Sequence, residues 1–129
     1  MILRVDHTQI TIPKGAEAEA RDFYCGLLGL CEIDKPEALR GRGGFWLSVG
    51  NHQVHIGTED DVDRMKTKAH VAYEVNALED LRKLFEKRGI EIHNGIQIPG
   101  YTRFEIRDPF GNRLEFLQRD EHQNILSEQ

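Results

Sequence analysis

Four side chains in this sequence have the chemistry and the spacing of a metal site: His7, His55, His70 and Glu115. Imidazole and carboxylate together suit one divalent Zn, Ni, Mn, Co or Fe ion. Two histidines and a carboxylate leave coordination positions open, and a fourth ligand tightens the set. An ion held in this way is a Lewis acid for a small oxygen-rich substrate, with a glutamate beside it to move a proton. Glu115 and Glu105 are the catalytic candidates, and burial would raise the pKa of Glu105 into the range of a base. The competing readings are ion pairs: Glu115 with Arg113, and Glu105 with Arg103 or Arg107. His55 also reads as a base behind the ligands or as a spectator.

Such donors act together only if strands aim them at one place. Residues 3–12, "LRVDHTQITI", alternate as a strand, with His7 and Gln9 opposite Thr8, Ile10 and Ile12. Residues 16–28 carry an apolar helical stripe (Ala16, Ala20, Phe23, Tyr24, Leu27, Leu28), and Gly29 suits the C-terminal cap. "CEIDK" reads as a short strand and "PEALRGRGG" as a loop. "FWLSV" and "QVHIG" flank "GNH" as a hairpin. The polar stretch 59–67 is a linker, and then the order recurs. "AHVAYEV" is a strand. Asn76 with Glu79 gives a capping-box pattern before a helix striped by Leu78, Leu81, Leu84 and Phe85. "IEIHN" is a strand, and "YTRFEIR" and "NRLEFLQ" form a hairpin around "DPFGN".

The chain is therefore an internal repeat: module one over residues 1–58, module two over 68–119, and a polar tail over 120–129. His7 and His70 open the two copies, and His55 and Glu115 fall on their last strands. In each strand the immediate neighbours of these residues (Thr8, Val54, Ile56, Val71, Leu114, Phe116) belong to the opposite face. Gln9, Trp46, Gln53, Arg103 and Glu105 share the parity of the four ligands, which makes them candidates for a substrate pocket. The expected fold is a single α+β domain: two βαβββ modules that pair into a cupped mixed sheet around a cavity, with helices outside.

Bulk properties narrow the function. The formal net charge is −5, and no run of Lys or Arg exceeds two residues. Nucleic acid and anionic membranes are therefore not expected as partners. No apolar stretch approaches a membrane span, and "MILRVDHTQI" lacks the pattern of a signal peptide, so a cytoplasmic location is expected. Cys25 and Cys31 are the only cysteines and read as reduced structural thiols.

With "DHTQITI", "ARDFYCGLLGL", "AHVAYEV" and "DPFGNRLEF" in one chain, the sequence resembles the vicinal oxygen chelate superfamily. That superfamily takes in glyoxalase I, extradiol dioxygenases, fosfomycin-resistance thiol transferases and bleomycin-binding proteins. The resemblance implies a metal held at His7, His55, His70 and Glu115. It also implies a homodimer in which modules of two chains complete each site. It departs from particular members. His55 stands where glyoxalase I carries Glu- or Gln-type ligands, and Glu105 where dioxygenases carry tyrosine. "NGIQIPGYTR" offers only Arg103 where fosfomycin enzymes have a basic loop. The implied function is a metal-dependent enzyme of lyase or isomerase type. The alternatives are a metal-free protein that sequesters a small antibiotic-type molecule, a thiol transferase or a dioxygenase.

Overall fold

A computed structural model describes residues 1–121, so the expected tail lies outside the described residues from position 122 onward. The chain divides into two compact units, the first Met1–Arg64 and the second beginning at Met65. Both are mixed α+β units built on a mixed sheet.

In the first unit, alternation in "HTQITI" produces β1 (His7–Ile12). It is followed by helix α1 (Glu17–Arg21), which widens into a π-helical segment over Asp22–Leu27. Phe23 and Tyr24, consecutive on the expected apolar stripe, are both buried in this segment. Strands β2 (Cys31–Ile33), β3 (Phe45–Val49) and β4 (His52–Thr58) complete a sheet of order β1-β4-β3-β2. β1 runs parallel to β4, and the other pairs are antiparallel.

Three expectations change here. β1 starts at His7, not at residue 3, because its partner β4 begins at His52 and offers no backbone beyond it; Ile2, Leu3 and Val5 are exposed. The "PEALRGRGG" loop contains a 3-10 turn over Glu37–Arg42. Within the linker, Arg64 is buried and donates to the carbonyls of Thr11 (2.8 Å) and Glu59 (2.6 Å). Gly44 has a positive φ, and a Cβ there would collide with the carbonyl oxygen of Ile56, so only glycine fits this approach of β3 to β4.

In the second unit, β5 (His70–Glu74) runs parallel to β7 (Arg113–Arg119), which pairs antiparallel with β6 (Tyr101–Arg107). The predicted "IEIHN" strand reduces to one bridge, in which His93 and Glu105 exchange backbone hydrogen bonds of 2.9 and 2.8 Å. Ile90 and Ile92 are only half-buried, too little apolar burial to hold a full edge strand. Helix α2 (Leu78–Lys87) lays Phe85 against Phe104 and Phe116, with ring centroids 6.0 and 5.4 Å away. The expected capping box does not form. Ala77 is the N-cap, and the Leu78 amide donates instead to Gln118 Oε1 on β7 at 2.8 Å. Glu79 faces Arg82 across one turn.

The turn between β6 and β7 is built by Asp108, which is buried. Its Oδ1 accepts from the amides of Phe110 (2.9 Å) and Asn112 (2.8 Å), and its Oδ2 from the Asn112 side chain. Gly111 takes the positive φ the turn requires. This clasp sets Glu105 opposite Glu115, which turns Glu115 away from Leu114 and Phe116 in the core.

Candidate functional site

Register carries the candidate residues into two corresponding rows. In the first unit, Gln9, His55 and Trp46 lie side by side across β1, β4 and β3, with His7 opposite Gln53 two pairs away on the same face. In the second, Ala72, Glu115, Glu105 and His93 form the matching row, and His70 stands opposite Arg113. Each unit thus brings two of the four expected ligands together: His7 with His55, and His70 with Glu115.

The two pairs are held differently. In the first unit the rings of Trp46, His55 and His7 form a column. Their centroids are 3.8 and 4.0 Å apart and the planes 4° and 14° from parallel. His55 Nε2 donates to Gln53 Oε1 at 2.9 Å, and His7 Nδ1 to Asp6 at 3.0 Å. Burial lowers the pKa of His55, and the neighbouring His7 adds to this. The column borders a cavity of about 700 Å³ that also meets Gln9 and Lys35. Lys35 was not legible as a lining residue because it sits in a polar segment far along the chain.

In the second unit, charges replace rings. His70 Nδ1 donates to the Lys68 carbonyl at 2.9 Å, which leaves Nε2 as a free lone pair 3.6 Å from Glu115 Oε1. That carboxylate is buried and accepts from Arg103 Nη1 at 2.8 Å. Arg103 thus takes the place expected for Arg113. Arg113 instead grips Glu105 with two bonds, 2.7 and 2.6 Å. The raised pKa expected for Glu105 is overturned: the hydrogen bonds from Arg113 hold it below the usual carboxylate value, outweighing burial. Glu105 is thereby a poor base and a good anchor. The Glu105–Arg113 pair also lines a cavity of about 680 Å³.

A metal bonds imidazole and carboxylate at about 2.0–2.2 Å. The His70–Glu115 pair fits: its tautomer is fixed by a backbone acceptor, and its two donor atoms are close enough to share an ion. His7 and His55 do not fit as stacked. Nearly parallel rings 4.0 Å apart cannot aim in-plane lone pairs at one ion, so one ring must turn to bind. Among the described residues, no three His, Cys, Asp or Glu side chains are grouped closely enough to hold an ion. No helix among them is long and apolar enough to cross a membrane.

Residues 4–116 match the Glyoxalase/Bleomycin resistance protein/Dioxygenase superfamily, and the chain belongs to it. Proteins of this superfamily commonly bind small molecules, use a divalent metal and form oligomers. A glyoxalase family protein from Bacillus anthracis is 41% identical, with 93% of this chain and 98% of that one covered and a TM-score of 0.85. The fosfomycin resistance protein FosX from Listeria monocytogenes is 13% identical, covering 98% and 99%, with a TM-score of 0.75. A lactoylglutathione lyase from Agrobacterium tumefaciens is 18% identical, covering 89% and 92%, with a TM-score of 0.66. These last two share the fold. No protein of curated function matches the chain.

Proposed function

We propose that this protein is a divalent-metal-dependent enzyme of the glyoxalase superfamily, of lyase or isomerase type, acting on a small oxygen-rich substrate. The observation that carries this reading is the His70–Glu115 pair, with the imidazole tautomer fixed by Lys68 and Nε2 facing the carboxylate. His7 and His55 are the further donors. When bound, the metal supplies Lewis-acid stabilisation of negative charge on a substrate oxygen. Gln9, Gln53 and Trp46 then border the substrate. Arg113 keeps Glu105 ionised, so that Glu115 is the carboxylate placed to handle a proton. The expected assembly is a homodimer in the cytoplasm, and the expected ion is Zn, Ni, Mn, Co or Fe.

The test is metal content of tag-free protein by mass spectrometry, beside a His70→Ala, Glu115→Ala double variant. Stoichiometric metal in the wild type and its loss in the variant support the reading. Failure of the wild type to take up any of the five ions sinks it. Turnover of thiol hemiacetals, catechols or fosfomycin would then separate lyase, dioxygenase and thiol-transferase chemistry.

A second reading has its own support. The ring column satisfies His7 and His55, and Arg103 satisfies Glu115, each without an ion. A metal-free protein that sequesters a small planar molecule would look like this. It predicts ligand binding that is unaffected by chelator.

A further inference from the structure

Arg103 occupies an unusually defined place for an arginine on a sheet face. Its Nη1 donates to Glu115 Oε1 at 2.8 Å and lies 3.4 Å from Glu105 Oε1, while Nε donates to the Ile96 carbonyl at 3.3 Å. Only 15% of the side chain is exposed. Gly95 leaves room for the guanidinium: a methyl group there would come within 2.8 Å of Nη2. Two carboxylates, a carbonyl and a glycine thus form a slot around one cation.

The oxygen of Glu115 that Arg103 holds is the same oxygen that faces His70 Nε2. An ion held by His70 and Glu115 would compete with Arg103 for that carboxylate and would bring positive charge up to a guanidinium already in contact. In a site of low exposure this repulsion is weakly screened. Without Arg103, by contrast, the buried Glu115 would lose the cation in direct contact with it in the metal-free state, which is costly.

We propose that Arg103 is the resident counter-ion of Glu115 and sets the metal affinity of the His70–Glu115 pair. It fixes the position and orientation of the carboxylate in the metal-free protein, and it would yield Oε1 to a bound ion. This makes Arg103 a positioning residue, and the inference rests on the metal reading above.

The test is calorimetric titration of Zn and Ni into metal-free wild type, Arg103→Gln and Arg103→Lys, with thermal unfolding of each with and without metal. Glutamine can still donate to Glu115 but carries no charge. Arg103→Gln is expected to bind at least tenfold tighter than wild type. Its metal-free form should melt lower, and its metal-induced rise in Tm should be larger. Arg103→Lys should stay within about threefold of wild type. Metal binding by wild type with equal or weaker affinity in Arg103→Gln overturns the role of Arg103 and leaves the metal site standing. Uptake of neither ion by any of the three proteins overturns both. Should Arg103→Gln fail to fold, the wild type still decides. The Arg103 Nε–H resonance, assigned with Arg103→Lys, must move on titration with Zn, and a resonance that stays in place while Zn binds overturns the proposal.

Discussion

The two units share the order of three strands, β1-β4-β3 and β5-β7-β6, and solve one local problem in opposite ways. At corresponding positions of their last strands stand His55 and Glu115, both nearly inaccessible to solvent. The first unit keeps its residue neutral. Trp46 and His7 sandwich the imidazole, the Gln53 amide oxygen accepts its Nε2–H hydrogen bond, and burial lowers its pKa. The second surrounds its carboxylate with Arg103 and His70, with Glu105 and Arg113 as the next pair. One strand position can thus host a neutral ring or an anion, provided the facing strand supplies the complement: Trp46 on β3, Arg103 on β6. A repeat in sequence is a repeat of backbone geometry, while the electrostatics of each copy are set by two or three cross-strand neighbours.

The sharpest way to probe this comparison is at the cores beneath. Phe116→Ala removes a ring that touches Tyr73, Phe85 and Phe104, and it should cost about 3–5 kcal/mol, read as a lower urea midpoint at constant slope. Next are the hairpin turns. Asp108→Ala orphans two amides and should cost about 2–3 kcal/mol. Asn51→Ala in the corresponding first-unit turn, whose residue is exposed, should stay within about 0.5 kcal/mol. Equal effects would show that the clasp does not distinguish the turns.

The charge network comes next. Glu105→Gln breaks a bidentate pair of low exposure and should cost about 1.5–3 kcal/mol at pH 7. The folded pKa of Glu105 is depressed, so its contribution is fully present above the ordinary value of 4.5 and lost as pH falls through the lower folded value. The gap between wild type and Glu105→Gln should therefore close in strong acid.

The last prediction separates the units by pH. The folded pKa of His55 is also depressed, from 6.5, so acidification begins to favour unfolding of the metal-free first unit below that point, well before Glu105 responds. Site-resolved hydrogen exchange at pH 7.5 and 5.5 should show β4 amides losing protection before β7 amides. Loss in the reverse order would contradict the neutral-ring account.

Strand parity made much of the fold readable from sequence, because alternation and a repeated order leave few ways to bury Val54, Ile56, Leu114 and Phe116. The same parity put His55 and Trp46 on one kind of face, and Glu115 and Glu105 likewise, while the register that sets them side by side came only from the structure. Charge pairing was readable only in part: Arg103 lies 3.4 Å from Glu105, one of the expected pairs, but the shorter bonds of both glutamates go to other arginines than expected. Arg113 flanks Glu115 in sequence, but side chains two apart on a strand share a face without having to touch. The longer reach of Arg103 across from β6 won, and freed Arg113 for Glu105. The capping box failed for a related reason: local patterns compete with distant partners, and Gln118 on β7 supplied the acceptor for the Leu78 amide.

That last contact carries a consequence for measurement. The Leu78 amide opens α2, yet its acceptor sits on β7, three positions beyond Glu115. The first turn of the helix therefore cannot fray without the end of that strand releasing it. One backbone proton, eight residues beyond His70 in sequence, becomes a gauge of whether the strand bearing Glu115 is seated, and its exchange rate can be followed without substrate, metal or activity.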